Sequence, residues 1–553
     1  MSAEQPAPEQ PGEVPAPSRS IGRASALLAS GTLVSRILGF ISAFVLAQTI
    51  GTQGAGADSF ILANQLPNNI YAIIAGGMLS AVIVPQIVRA GLHDDGGQRF
   101  TNRLVTLGIV VFLAVTAIAT ACAPLLVRLY AASGFDDQQL ALATAFAYWT
   151  LPQILFYALY ALFGEVLNAR GVFGPFTWAP AVNNVIMIAG LFTFQLLFGP
   201  AGSLAAGEWT AERIALLAGG ATLGIAAQAV ILIWFWRRAG LRYRPEFRWR
   251  GVGLGTAGRT AAWTFGMILV TQAAGVVDAR VASLATGDAS IATMHYGWLI
   301  FMLPHSIIAV SIGVAYFTRM SGHARDGDLA SLRDDVSTSL RAILLLLTFA
   351  AIGLMVLAFP IAAVFGQDYA EVRSLALVLI VYLVGLLASS AIYVLQRVFF
   401  SLEDTRTPFF LQCLQALTFV VLALVVATWP VPMIALGLAG AITVAVIVQT
   451  AVGFVVLHRR LGGFALGLIA VRTLWFHGAM VPAAASGVGV LWLLGGVGEG
   501  AFPISGIGGA IVAGIAAGTV MLVVYAGTLA VTRNPEFLSF ARPVLVRLRR
   551  GVE

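Results

Sequence analysis

The chain has 553 residues, 59% of them hydrophobic and 10% charged, with a mean hydropathy of +0.89. That composition excludes a soluble globular domain and calls for a helix bundle in lipid. All 32 basic residues are arginine, and the net charge of +7, which would suggest nucleic acid in a soluble protein, here follows from topology and from anionic inner-leaflet lipid.

Residues 1–20 are rich in Pro, Glu and Ala without an apolar h-region, and read as a disordered cytoplasmic tail, not a cleaved signal. About fourteen apolar stretches follow, each near the ~20 residues that span a bilayer as helix. They lie at 24–50, 60–88, 104–130, 139–167, 178–199, 213–236, 260–283, 290–317, 337–365, 374–400, 408–428, 432–457, 468–495 and 507–531. The resulting all-α polytopic protein divides into an N-terminal lobe at 21–237 (spans 1–6), a basic cytoplasmic linker at 238–258, a C-terminal lobe at 259–460 (spans 7–12), spans 13 and 14 within 461–532, and a basic cytoplasmic tail at 533–553.

With the N-terminus inside, 27 of the arginines fall on the same face as the tails, and the other face holds only Arg128, Arg213 and Arg373. The positive-inside bias therefore places both ends of a multi-pass membrane protein in the cytoplasm. The last two, Arg36 and Arg280, are inside spans. Cys122 and Cys413 also sit in spans, so neither a disulfide framework nor a CxxC metal site is available.

An internal repeat relates the two lobes. Offset by 237, Leu66-Pro67-Asn68-Asn69-Ile70 falls on Leu303-Pro304-His305-Ser306-Ile307 and Gly76 on Gly313; offset by 233, Asn168 to Pro175 matches Ser401 to Pro408. Six spans per half give parallel repeats about an axis along the membrane normal, with a site expected between the halves. Pro67 and Pro304 each remove a backbone hydrogen bond at matching places, in the outer halves of their spans, and read either as packing kinks or as hinges of that site. Gly506, Ala510, Gly514 and Gly518 form a small-residue stripe expected to serve helix contact.

Charges inside spans are costly and face the bundle interior. Arg36, about twelve residues into span 1, comes out near the midplane at ~1.5 Å per residue. It reads equally as a structural pair and as a substrate contact. Asp58 suits the start of span 2 as a helix cap as well as a site residue. Asp278 and Arg280, two residues apart, point to different faces. His295 and His305 read as hydrogen-bonded packing residues. Paired catalytic carboxylates, a metal cluster, GxSxG and a phosphate loop are all missing from the sequence, so the chain reads as a transporter and not an enzyme. No cofactor is expected; a coupling cation or the membrane potential would supply the work.

Several motifs carry a family resemblance. Gly31-Thr32-Leu33-Val34-Ser35-Arg36-Ile37-Leu38-Gly39-Phe40, then Ala57-Asp58-Ser59-Phe60, Leu66-Pro67-Asn68, Leu167-Asn168, Ala179-Pro180 and Asn184, and Phe399 to Pro408 resemble the MurJ/MviN lipid II flippases of the MOP exporter superfamily. The details around Leu303-Pro304-His305-Ser306 look like actinobacterial members. The resemblance implies two six-helix lobes about a cavity, a groove made by spans 13 and 14 for the lipid tail, and a monomer working by alternating access. The implied substrate is undecaprenyl-pyrophosphate carrying the disaccharide-pentapeptide precursor, moved from inner to outer leaflet for peptidoglycan synthesis, with cell-wall synthesis proteins as further partners.

The cavity arginines of Gram-negative members would fall at Ser42, Tyr71 and Leu299, none of them basic. Arg36 and Arg280 are therefore expected to supply the positive charge, with Asp58, Asn68 and Asn69 completing the substrate site and Pro67 and Pro304 as its hinges. Competing readings are a flippase for another lipid-linked oligosaccharide, a MOP-type exporter, or a non-transporting cell-wall scaffold.

Overall fold

The computed structural model describes residues 18–78, 98–131, 134–170, 172, 174–238, 243–247 and 258–539. Most of the 1–20 tail, the inner end of span 2, most of the linker and the 540–553 tail lie outside the described residues.

Span 1 is α1 (Ser18–Ile50), span 2 is α2 (Ala55–Met78), and span 3 is α3 (Gln98–Ala121) with α4 (Ala123–Tyr130). Span 4 is α5 (Asp137–Thr150) with α6 (Gln153–Ala169); spans 5 and 6 are α7 (Gly174–Phe198) and α8 (Ala211–Arg238). In the second half span 7 is α9 (Gly258–Ala282), and span 8 is α10 (Ile291–Pro304) and α11 (Val310–Arg325), joined by a π-helical turn at His305–Ala309. Span 9 is α12 (Leu329–Val356) with α13 (Ala358–Phe365), and span 10 is α14 (Tyr369–Val384) with α15 (Leu386–Ser401). The remaining spans are α16 (Arg406–Val426), α17 (Val431–Arg460), α18 (Leu466–Leu493) and α19 (Ile507–Val531). Twelve segments are long and apolar enough to cross a bilayer, and the bent pair α14–α15 makes a thirteenth. The 24-residue α2, packed among them, completes fourteen.

The repeat is visible in the packing. In the first lobe α1 packs on α7, α7 on α8, α2 on α5, α3 on α6, and α8 on both α5 and α6; in the second α9 packs on α16, α16 on α17, α10 on α14, α12 on α15, and α17 on both α14 and α15. Every pair has its counterpart. Spans 3 and 9 also break alike, at Cys122 ahead of Pro124 and at Leu357 ahead of Pro360, because proline cannot donate to the helix ladder and clashes with the preceding turn.

Lipid tails are as apolar as leucine, so helices associate through close packing and interhelical hydrogen bonds. Gly31 lets α1 approach Trp178 of α7, Asn184 Nδ2 donates to Ser35 O at 2.9 Å, and in the second lobe Gly266 admits the Phe409 ring.

Two expectations change. Pro67 and Pro304 do not form matching kinks: α2 runs through Pro67 unbroken, whereas Pro304 is followed by the π turn. The extra residue of that turn is held from the second lobe, where His305 Nδ1 lies 2.9 Å from Ser390 Oγ; on α2 the carbonyl that Pro67 frees, Ala63 O, accepts from Thr150 Oγ1 at 2.9 Å. The small-residue stripe of span 14 serves helix contact only at the buried Ala510. Gly514 and Gly518 border an open groove, and contact is made by Ala513, Ala517, Met521 and Tyr525.

Candidate functional site

Between the lobes lies a cavity of about 330 Å³. Its polar lining is Gln65 and Asn69 from α2, Thr271, Gln272 and Asp278 from α9, His295 from α10, and Gln412 and Gln415 from α16; Tyr130, Trp298, Tyr382 and Phe419 supply aromatic walls. Many of the amides are already aligned. Gln65 Nε2 donates to His295 Nδ1 at 3.2 Å, Gln272 Nε2 to Asn69 O at 2.9 Å, and Gln412 Nε2 to Gln415 Oε1 at 2.8 Å. Amides present both donors and acceptors, so this lining can bond phosphate oxygens, sugar hydroxyls and peptide groups in turn.

On the outer side the cavity is sealed by bonds between lobes. Ser290, the N-cap of α10, directs its hydroxyl to Ala282 O and makes no capping bond. The cap comes from the other lobe: Asp58 Oδ1 accepts from Ala292 N at 2.9 Å, and Asp58 is fully buried. Beside it Thr293 Oγ1 donates to Thr52 O at 2.8 Å and Thr52 Oγ1 to Glu371 Oε2 at 3.1 Å. Further along the seam Gln48 Nε2 donates to Val364 O at 2.9 Å, and Gln139 Nε2 to Thr286 Oγ1 at 2.9 Å. The Phe365 ring stands edge-on to Phe40 at 5.4 Å. Among the described residues, no such bond joins the halves of the two lobes nearest the arginine-rich face. The arrangement is closed on the arginine-poor side.

Only some of the expected site residues meet here. Asn69 lines the cavity, while Asn68, the next residue round the helix, is exposed and outside the lining. Asp58 belongs to the outer seal and caps α10 instead of its own helix. Arg280 is exposed on α9 and donates from Nη1 to Leu129 O at 3.4 Å, so it points along the outer seam and away from the cavity. Asp278, two residues earlier, is the one that faces in. Arg36 is half-buried and has no hydrogen bond or ion pair among the described residues.

Among the described residues, no arginine lines the cavity. Ser42 is buried against the fold, Tyr71 stacks on Tyr157 with centroids 5.8 Å apart, and Leu299 packs against the core. Sequence reading missed the glutamines, whose signal was available: Gln65, Gln272, Gln412 and Gln415 are uncharged polar groups in otherwise apolar spans, where a polar group needs a partner or a wet cavity.

Two pseudo-symmetric six-helix lobes facing a polar cavity, with two more helices appended, have the architecture of a multi-pass membrane transporter. The lipid II flippase MurJ family model matches residues 46–502, and the chain belongs to that family. A Vibrio cholerae protein described as "Probable lipid II flippase MurJ" is 26% identical over 518 residues, covering 89% of this chain and 94% of its own. One of the same description from Haemophilus influenzae is 29% identical over 406 residues, covering 68% and 75%. Among solved structures, lipid II flippase MurJ in an inward closed conformation superposes with a TM-score of 0.69 at 19% identity, covering 91% of this chain and all of that one. An inward-facing multidrug resistance MATE family transporter of the MOP superfamily gives 0.60 at 15% identity, covering 79% and 98%. These likenesses place the fold.

Proposed function

We propose that this protein is a lipid II flippase: it carries undecaprenyl-pyrophosphate with its disaccharide-pentapeptide from the inner to the outer leaflet of the plasma membrane by alternating access. The observation that carries the reading is the amide-lined cavity between repeat lobes, closed on the arginine-poor side, in a chain of this family. Both termini are cytoplasmic in this reading, from the arginine distribution, and the cavity is then closed toward the outside.

A polar head cannot cross hydrocarbon unaided, so it travels between the lobes while its prenyl chain stays in lipid. Arg36, unpartnered among the described residues, meets the pyrophosphate, since a guanidinium fork suits phosphate oxygens. Gln65, Asn69, Gln272, Gln412 and Gln415 supply hydrogen bonds within the cavity. Release of Asp58 from Ala292, with the neighbouring seam bonds, opens the outer side. Two negative charges moving outward gain about 4 to 5 kcal/mol per 100 mV if they cross the whole field, so the membrane potential drives export. The protein acts as a monomer.

The test is rescue of a bacterium depleted of its own lipid II flippase, scored by whether lipid II becomes accessible to an outer-face probe in intact cells. Restored exposure is expected. Failure despite good membrane expression would transfer the protein to another lipid-linked substrate or to a scaffold role.

A further inference from the structure

Trp298 is the part of the cavity wall that hydrogen bonding does not explain. It stands two turns into α10, on the face that carries Ile291, Met294 and His295 into the cavity, and 40% of its surface is open. Its supports are closed. Phe301 stacks on it with centroids 4.9 Å apart and is 2% exposed, and Tyr382 of α14 meets it edge-on at 5.7 Å and is 3% exposed. A tryptophan at the bilayer surface anchors a span at the headgroup level. Trp298 instead lines the space between the lobes, where an open apolar ring beside water is unfavourable until something covers it.

The groups around it are amides and an acid. The Asp278 carboxylate has Oδ1 buried without a partner among the described residues. Gln65 Oε1 and Gln272 Oε1 accept nothing there and Gln415 Nε2 donates nothing, because each glutamine spends only its other atom on a neighbour. Free acceptors, a free donor and an unopposed carboxylate suit hydroxyls and an acetamido group, which between them need both kinds of partner. A multiply charged anion would face Asp278 with no arginine beside it among the described lining residues. The indole completes the match: a pyranose has a face of weakly positive C–H bonds that lies on the negative face of an aromatic ring, and its hydroxyls then point sideways, toward the amides. At about 330 Å³ the cavity is at the small end of ligand pockets, which is room for a sugar and not for a whole disaccharide-pentapeptide.

We propose that Trp298 is the platform on which an N-acetylated sugar ring of the substrate head stacks, with Gln65, Gln272, Gln415 and Asp278 bonding its acetamido group and hydroxyls. The inference rests on the flippase reading and deepens it, by assigning substrate selection in this chain to the sugar. The pyrophosphate is a group that other lipid-linked oligosaccharides share, and contacts to it select nothing among them.

The full-length protein in lipid nanodiscs would be titrated with two lipids that share the prenyl chain and pyrophosphate, lipid II and undecaprenyl pyrophosphate, and binding read by native mass spectrometry. Wild type is expected to hold lipid II about tenfold more tightly. Trp298→Ala should lower lipid II affinity to the level of undecaprenyl pyrophosphate and leave the affinity for the latter unchanged, which a misfolded protein could not do. Trp298→Phe, still aromatic, should keep most of the preference, and Trp298→Leu, apolar without a π face, should lose it. Retention of the preference in Trp298→Ala or Trp298→Leu would overturn the platform, as would equal wild-type affinity for the two lipids. Wild-type protein that binds neither lipid would sink the flippase reading along with the platform, whereas a preference for lipid II that survives in Trp298→Ala sinks the platform alone.

Discussion

Asp58→Ala removes the acceptor that Ala292 N–H has in the closed outer seam among the described residues. Ala292 is fully buried and Ser290 does not cap its own helix, so the amide is left without a partner in a dry place. A buried donor so orphaned costs about 1–3 kcal/mol. The cost falls only on the closed form, because once the lobes part on that side the same amide reaches water. The closed-to-open equilibrium should therefore shift about 5- to 150-fold toward open. Asp58→Asn keeps a carbonyl acceptor at the same place and should shift it far less. A reporter is available in Thr271, which lines the cavity and is exposed. With Cys122 and Cys413 replaced by Ala, Thr271→Cys should react faster with a membrane-impermeant maleimide added outside when Asp58→Ala is present. An unchanged labelling rate would refute the latch. So would equal acceleration by Asp58→Asn, which would mean that charge and not the hydrogen bond holds the seam.

Gly134→Ala should act in the same direction, because its Cβ would collide with the Ser283 backbone of the opposite lobe; overpacking of about 1–3 kcal/mol should appear as faster outside labelling of the same reporter. Gln415→Leu leaves Gln412 Nε2 without its acceptor and removes a cavity donor, and should lower lipid II exposure in the rescue assay about tenfold at unchanged membrane abundance. Arg36→Ala should abolish rescue while the protein still reaches the membrane, whereas Arg280→Ala, losing only a long bond to the Leu129 carbonyl, should rescue like wild type; the reverse ranking would return the anion site to the outer end of α9.

Fourteen spans, the six-helix repeat and the family were legible in the residues, because a bilayer imposes one length and one polarity on every spanning segment. Arg36 and Asp58 stood out as charges in apolar runs for the same reason. What those charges touch was not legible. Asp58 looked like a cap for its own helix, and its partner is the N-terminus of a helix 234 residues later in the chain. Arg280 and Asp278 could not be told apart by spacing alone; the packing of α9 against the other lobe turns the acid into the cavity and the base onto the seam.

The sequence by itself determined how many times the chain crosses the membrane and that its halves are alike. Hydropathy, arginine bias and repetition are local or periodic properties that survive without knowledge of neighbours. Only the tertiary structure decided that amides from α2, α9 and α16 face one another, and that matching prolines yield a straight helix in one lobe and a π turn in the other. It likewise placed the glycines of α19 along a groove and not in a helix contact. Each of these depends on which faces of distant helices meet, and in lipid that is fixed by steric fit and polar pairing across the bundle, to which no single span carries the key.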